Sequence, residues 1–447
     1  MKKRTDYGKR SLPMPEKEQN MSRIHIDFQR KKGPVKPMHA VNNGVVLGRQ
    51  NNTETYRTAG FPYARNHDAS YCEEYGVEHC VDITAIFRDF DASPYHPDSY
   101  DFAVTDAYLK GTVDAGTKIF YRLGQRIEHT VKKYNIYPPK DFQKWAVICE
   151  HIIRHYTEGW ADGFHWDMPY WEIWNEPDVQ PQCWVGSTAE FCDFFCTVFA
   201  HLKSTFPHLK IGGPALGGSY SFWMMNYLLA ILQKRELKLD FFSWHLYTTD
   251  PHKLTEDALE FRRRLDEAGQ EQAESILNEW NYCESFEGEA FTRTVETIIG
   301  MKGAAFDAAF LCEGQKNPVD MLMYYDARPS IFNGIFDFYT LRPIKGYYVF
   351  SGWNELYRLG TEVFSETDDG ELYAAAATDG EDKGAMLVYF TNRPDAEPKT
   401  VEIDAGGTFD VHILSGTEDD SFMDTLVFPG KLTMMPNTVL RLREAAR

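Results

Sequence analysis

The sequence predicts an α/β fold followed by a small domain of antiparallel β-strands. Between residues 38 and 358, short apolar runs alternate with stretches of helical spacing. From residue 359 onward, short alternating strands are separated by turn signals such as Asp379-Gly380. The chain has 447 residues, and a barrel of alternating strands and helices takes about 250, so both domains have room.

The pattern divides the chain into four segments. Residues 1–21 are charged and polar and are expected to form a tail. Residues 22–37 contain a strand with Ile24, Ile26 and Phe28 on one face. Residues 38–358 carry the α/β pattern, and residues 359–447 form the second domain.

The elements follow in order. The apolar runs predict eight strands, at residues 38–44, 61–68, 117–124, 170–176, 210–215, 239–247, 275–281 and 320–326. Helical spacing predicts helices at residues 141–160, 191–206, 221–233, 254–268, 291–313 and 345–356. The insertion at 69–116 is expected to hold an extra strand at 81–87 and a loop at 90–102. The last domain is expected to use strands at 372–378, 385–391, 400–403, 409–414 and 439–442.

Two of the strands end in a glutamate. Residues 171–178 read Trp-Glu-Ile-Trp-Asn-Glu-Pro-Asp, and Pro177 must end the strand because it cannot donate to a sheet ladder. Residues 277–281 read Leu-Asn-Glu-Trp-Asn. A single Asn-Glu-Pro is best interpreted as an ordinary turn with a solvated acid. Together, Glu176 and Glu279 match the two carboxyl groups that a retaining glycosidase needs, one protonated and one ionised.

These two stretches resemble the acid/base and nucleophile strands of clan A glycoside hydrolases, and most closely those of family 39, which holds β-xylosidases and α-L-iduronidases. The resemblance covers the chain from about residue 23 onward. It implies a (β/α)8 TIM barrel with Glu176 as acid/base on the fourth strand and Glu279 as nucleophile on the seventh. It also implies that the strand at 22–37 joins a C-terminal antiparallel β-sandwich domain.

Further substrate-binding candidates lie at the ends of other strands. Arg65 and His67 alternate on the second strand and so point the same way, with Asp68 following them. The resemblance implies that Arg65 supports the nucleophile, and its positive charge would keep Glu279 ionised. Asn175 resembles the asparagine that clan A enzymes use on the sugar 2-hydroxyl.

The remaining candidates come from the last three strands. Considered alone, His245 and Tyr247 are core aromatic residues, but their His-x-Tyr spacing resembles the sixth strand of the family. The resemblance implies that this pair contacts the sugar and that Tyr247 hydrogen-bonds the nucleophile. Trp280, Asn281 and Tyr325 complete the predicted set.

Composition excludes several other functions. The net charge of −19 repels nucleic acid and anionic lipid, so neither is expected as a partner. No apolar run is long enough for a membrane span, and the basic N-terminus lacks the apolar core of a secretory signal. The eight cysteines form no C-x-x-C pair, and Cys192 and Cys196 are expected to be buried thiols of a helix. We therefore expect a cytoplasmic protein without cofactor or metal.

The expected function is retaining exo-hydrolysis of glycosides, with a β-xylosidase acting on small oligosaccharides as the first choice. An α-L-arabinosidase or α-L-iduronidase of the same family is the alternative, and a non-catalytic sugar-binding barrel is a further one. The mechanism predicts that the two carboxyl groups lie about 5 Å apart. The sequence leaves the oligomeric state open.

Overall fold

Eight parallel strands close into a barrel in the computed structural model, which describes residues 21–70 and 79–445. A first strand, β1 (Ser22–Pro34), precedes the barrel. The barrel strands are β2 (Ala40–Asn42), β3 (Tyr63–Arg65), β4 (Lys118–Leu123), β5 (Tyr170–Ile173), β6 (Lys210–Leu216), β7 (Phe241–Thr248), β8 (Glu274–Tyr282) and β9 (Met321–Tyr324). Each pairs with the next, and β9 pairs with β2 to close the ring. The predicted TIM barrel is thereby confirmed.

Helices surround the barrel. They are α1 (Thr53–Ala59), α2 (Ile83–Ile86), α3 (Ala103–Asp114), α4 (Phe142–Glu158), α5 (Thr188–Thr205), α6 (Phe222–Lys234), α7 (His252–Glu267), α8 (Gly288–Ile298), α9 (Met301–Lys316) and α10 (Lys345–Leu359). Asp141 caps the start of α4 by accepting from the backbone of Lys144, and Gly159 ends it in the left-handed conformation. Among the described residues, no helix is long and apolar enough to cross a membrane.

The barrel interior is closed at the amino ends of the strands by apolar side chains. Tyr170 stacks on Phe120, and Phe241 contacts both rings. The buried apolar interior of the barrel comprises Ala40, Phe120, Tyr170, Phe241, Ile276, Met321 and Met323. A larger core fills the space between strands and helices. Polar side chains can therefore converge inside the barrel at the carboxyl ends of the strands.

The C-terminal domain is a β-sandwich made from one sheet folded on itself. Its strands are β10 (Thr361–Thr367), β11 (Leu372–Thr378), β12 (Lys383–Tyr389), β13 (Lys399–Leu414), β14 (Asp419–Met434) and β15 (Thr438–Glu444). β1 pairs antiparallel with β10 and parallel with β13, so the N-terminal strand is part of this sheet. Ile24, Ile26 and Phe28 lie in its core.

Several element predictions were wrong. Residues 81–87 contain the helix α2 and no strand, because Ile86 N–H bonds back to the carbonyl of Asp82 and starts a helical turn. The single helix predicted at 291–313 is two helices, since Gly300 between them is extended. The runs at 400–403 and 409–414 belong to one strand, β13.

Other elements were not predicted at all. These are α1, α3, β10 and β14. β14 was missed because most of its residues are exposed and carry little apolar alternation. The predicted tail falls almost wholly outside the described residues, as does Cys72. The seven described cysteines are all buried, including Cys192 and Cys196 of α5.

Candidate active site

A pocket of about 880 Å³ opens at the carboxyl ends of the barrel strands. It brings together seven of the predicted residues: His67, Asp68, Glu176, His245, Tyr247, Glu279 and Tyr325. Loop residues also line it, namely His79, Ile127, His129, Val179, Gly217, Gly218, Ser219, Tyr220, Phe286 and Phe332, with Leu246, Thr248, Lys253 and Asp257 from β7 and α7. The pocket lies where barrel enzymes carry their chemistry.

The chain turns sharply where β5 ends, and this turn directs Glu176 into the pocket. Trp174 and Glu176 both have positive φ values, 71° and 47°. The backbone N–H of Glu176 donates to the carbonyl of Ala215, and the indole N–H of Trp174 donates to the carbonyl of Cys183. Non-glycine residues seldom adopt this conformation, and it is often found at functional sites.

The carboxyl group of Glu176 is poorly solvated. Its Oε1 lies 2.9 Å from Nδ1 of His245, and its Oε2 lies 3.8 Å from Sγ of Cys183. Burial raises the pKa of Glu176 to about 7, although the charge of Arg65 opposes the shift. Burial also lowers the pKa of His245. Glu176 is therefore largely protonated in weakly acidic solution.

The carboxyl group of Glu279 accepts hydrogen bonds from two side chains. Nη1 of Arg65 donates to its Oε1 at 2.7 Å, and the hydroxyl of Tyr247 donates to its Oε2 at 3.0 Å. Burial raises the pKa of Glu279, while His245 and Arg65 act in the opposite direction. Both donors favour the ionised carboxylate, which suits a nucleophile.

The two carboxyl groups face each other across the pocket. One oxygen of Glu176, one of Glu279 and a ring nitrogen of His245 lie within 4.8 Å of one another. These distances would also allow the three groups to hold a metal ion. However, the guanidinium of Arg65 already supplies a positive charge against Glu279. The arrangement therefore suits a pair of carboxyl groups in which one acts as the acid and the other as the nucleophile.

Arg65 organises a buried polar network beneath the pocket. Its Nε donates to Oε2 of Glu172 at 2.6 Å, and its Nη2 donates to Oδ1 of Asn175 at 2.6 Å. Glu172 also accepts from Ser243 and Asn278. Sequence reasoning missed Glu172, although a charged residue inside the apolar run of β5 was a signal for a buried partner.

Asp68 and its neighbours form one side of the pocket. Nε2 of His67 lies 3.6 Å from Oε1 of Glu279 and 3.5 Å from Oδ2 of Asp68. The hydroxyl of Tyr325 contacts Asp68 at 3.5 Å. His79, which sequence reasoning missed, lies 3.5 Å from the same carboxyl group. Burial, together with nearby arginines, lowers the pKa of His67 well below its usual value.

Two predicted substrate contacts do not reach the pocket. Trp280 is fully buried and stacks on Phe310 of α9, with ring centroids 4.4 Å apart. It points away from Glu279 because adjacent strand residues face opposite sides. The amide of Asn281 donates to the carbonyls of Tyr325 and Phe332, so it fixes the loop after β9.

Asn175 precedes Glu176 in the chain but is not among the residues that line the pocket. Its Oδ1 is held by Arg65, whereas its Nδ2 is buried and has no hydrogen-bond partner among the described residues. A buried unpaired donor beside a pocket is well suited to a ligand hydroxyl.

A second cavity of about 630 Å³ lies beside the loop after β2. Its lining includes residues 43–50 together with Tyr108, Arg328 and Tyr339, and it contains neither Glu176 nor Glu279. The pair of carboxyl groups therefore lies in the pocket of about 880 Å³ and not in this second cavity.

Comparison with known proteins identifies what the chain is similar to. The model of the family described as Glycosyl hydrolases family 39 matches residues 22–326. A beta-xylosidase from Geobacillus stearothermophilus is 24% identical over 363 residues, which cover 70% of this chain and 67% of that protein. A beta-xylosidase from Caldicellulosiruptor saccharolyticus is 28% identical over 179 residues, covering 38% of this chain and 35% of that protein.

Solved structures share the fold over nearly the whole chain. A glucosidase from Croceicoccus marinus has a TM-score of 0.76 at 20% identity, with 95% of this chain and 98% of that chain covered. A monomeric beta-xylosidase from Caulobacter crescentus CB15 has a TM-score of 0.65 at 16% identity, with 95% of this chain and 99% of that chain covered.

Proposed function

The chain belongs to glycosyl hydrolase family 39 and is a glycoside hydrolase, and from this premise we propose that it is a retaining β-xylosidase that removes terminal units from small oligosaccharides. The observation that carries the proposal is the approach of Glu176 and Glu279 to within 4.8 Å between carboxylate oxygens. Retaining glycosidases hold their carboxyl groups about 5–5.5 Å apart, whereas inverting enzymes leave about 6.5–9.5 Å for a water molecule.

The first chemical step uses the two glutamates in different protonation states. The carboxylate of Glu279 attacks the anomeric carbon, while Glu176 transfers its proton to the leaving oxygen as the glycosidic bond breaks. The raised pKa of Glu176 supports its role as acid, and the donors Arg65 and Tyr247 support an ionised Glu279. The products of this step are a glycosyl ester on Glu279 and the free leaving group.

The second step returns the enzyme to its starting state. Glu176, now ionised, removes a proton from a water molecule that attacks the anomeric carbon, and the ester bond to Glu279 breaks. Because the anomeric carbon is attacked twice from opposite faces, its configuration is retained. The buried Nδ2 of Asn175 has no hydrogen-bond partner among the described residues, which supports a role for it as a donor to a sugar hydroxyl as charge develops on the ring.

A neutral sugar fits the charges of the pocket. Four acids line it, namely Asp68, Glu176, Asp257 and Glu279. Lys253 is the one Lys or Arg among its described lining residues, and its Nζ pairs with Asp257 at 2.9 Å. An iduronoside brings a carboxylate that would need a free cation, so this alternative is disfavoured. A neutral α-L-arabinoside stays as the second candidate.

Hydrolysis of a panel of nitrophenyl glycosides tests the proposal. The wild type is expected to cleave the β-xyloside, and NMR of the first product is expected to show the β-anomer. Glu279→Ala and Glu176→Ala should each lose more than about a thousandfold in kcat. Azide should partly restore the Glu176→Ala enzyme by attacking the glycosyl ester without needing a base.

The exposed Glu287, in the loop after β8, provides a matched control. Glu287→Ala should retain the wild-type rate. Cleavage of the arabinoside alone would leave the mechanism standing and overturn the substrate. Formation of the α-anomer first would overturn retention, and sugar binding without cleavage of any glycoside would favour a non-catalytic barrel.

A further inference from the structure

Three exposed aromatic side chains follow one another along the chain from the wall of the pocket into α6. Tyr220, Trp223 and Tyr227 are 68%, 53% and 43% exposed. Trp223 and Tyr227 are four residues apart in α6 and so share one side of the helix. Tyr220 lies just before α6, in the short 3-10 turn at residues 219–221. Among the described residues, none of these rings stacks on another ring. We call these three residues the aromatic strip.

Tyr220 is held in place by two glycines. A Cβ atom on Gly217 would lie 2.2 Å from the hydroxyl oxygen of Tyr220, and one on Gly218 would lie 2.8 Å from its Cε1. Gly218 also has a φ of 153°, which side chains rarely adopt. The ring therefore packs closely against the glycine backbone, and its solvent-facing surface is left open.

Asp178 ties this turn to the strand that carries Glu176. Its carboxylate accepts from the backbone N–H of Gly217 at 3.1 Å and from the hydroxyl of Ser221 at 2.5 Å. Asp178 comes two residues after Glu176, and both Glu176 and Tyr220 line the pocket. The start of the aromatic strip is thus fixed on the same wall as the acid.

We propose that the aromatic strip binds the leaving-group side of an oligosaccharide substrate. The inference rests on the proposed function, because an acid that protonates the leaving oxygen must face the departing sugar. Tyr220 would then pack on the first sugar beyond the cleaved bond and Trp223 on the second. Tyr227 lies about 6 Å further along the helix axis and would contact a third. Sugar rings present C–H groups on their faces, and these pack on exposed aromatic rings.

A length series of substrates tests the strip. Trp223→Ala should leave kcat/KM for xylobiose within about twofold and lower it for xylotriose about three- to tenfold. Tyr220→Ala should lower both values, and Tyr227→Ala should affect xylotetraose alone. Gly217→Ala should act like Tyr220→Ala because its methyl group displaces the ring. Phe422→Ala, an exposed ring on β14, is the matched control and should change none of them.

The outcomes separate this inference from the proposed function. If the wild type cleaves β-xylosides and every strip variant matches it at all three lengths, the strip is overturned and the function stands. If another glycoside is cleaved, the substrate proposal fails. The strip is then supported if the same variants show this length dependence on oligosaccharides of that sugar, and it is overturned if they match the wild type at every length. If size-exclusion chromatography shows that Trp223→Ala dissociates an oligomer without changing the length dependence, the strip is a subunit contact and the inference is overturned.

Discussion

Arg65 and Glu279 form a buried ion pair at the base of the pocket, in which Nη1 of Arg65 lies 2.7 Å from Oε1 of Glu279. The same guanidinium group also donates to Glu172, Asn42 and Asn175. One side chain therefore joins the proposed nucleophile to β2 and to β5 with its carboxyl end. Its planar set of donors makes this possible, since a lysine offers only a compact point charge.

Arg65→Lys is expected to lower kcat about a hundred- to a thousandfold, because the ammonium group cannot hold Glu279 and Asn175 together. Steady-state kinetics on a nitrophenyl xyloside measure the loss. Arg57→Lys is the matched control, since Arg57 is exposed and pairs only with groups on the surface. A kcat for Arg65→Lys within tenfold of the wild type would contradict this role.

The pH profile of kcat/KM should fall above about pH 7, since the pKa of Glu176 is raised to about 7 and the protonated form is the acid. The negative charge of Asp68 contributes to that shift. Asp68→Asn removes the charge and lowers the pKa of Glu176, so the falling limb should move to lower pH. Asp424→Asn, an exposed residue of β14, should leave the limb in place. A shift of the falling limb to higher pH in Asp68→Asn would contradict this effect of the Asp68 charge on the pKa of Glu176.

Tyr247→Phe should move the acidic limb of the same profile to higher pH. The hydroxyl of Tyr247 donates to Oε2 of Glu279 at 3.0 Å and favours the ionised carboxylate. Without this donor the pKa of Glu279 rises, so more of the enzyme is protonated and inactive in mildly acidic solution. We expect kcat to fall about tenfold or more at the optimum. An unchanged acidic limb would show that Tyr247 does not set the ionisation of Glu279 and would leave that role to His245 and Arg65.

Trp280→Phe should lower the stability of the fold and leave KM for the xyloside almost unchanged. The buried indole stacks on Phe310, and the smaller ring leaves a cavity, so the free energy of unfolding should fall by about 1–3 kcal/mol. Because the side chain does not reach the pocket, KM for the xyloside should stay within about twofold. Urea denaturation and kinetics measure the two effects. Trp223→Phe, at an exposed position, should leave the unfolding free energy unchanged.

Strand periodicity explains which parts of the site were predictable. Arg65 with His67, and His245 with Tyr247, are two residues apart on strands or strand ends, and each pair does reach the region around the two glutamates. The same rule places Trp280 on the outer side, so that prediction disregarded an available signal. Asn281 is two residues after Glu279 and so faces the same side of β8, but its amide donates to backbone carbonyls of the loop after β9.

Loop residues could not be predicted because their positions depend on contacts that are distant in sequence. Phe286 reaches the pocket by packing edge-on against Tyr247, with ring centroids 5.2 Å apart. Tyr220 reaches it because of Gly217, Gly218 and Asp178. In the same way, β14 forms only because β13 offers it a long pairing edge. Local apolar patterning carries none of this information.

The place of β1 in the C-terminal sheet also affects how the protein is made. On the ribosome, residues 22–34 emerge before the barrel strands, whereas their partners at 361–367 and 401–404 are synthesised after them. The barrel strands are therefore synthesised before β1 can pair with β10 and β13. A chain that stops after α10 would leave Ile24, Ile26 and Phe28 on an unpaired edge, where they would favour aggregation. We therefore expect the barrel to fold poorly when it is expressed without the C-terminal domain.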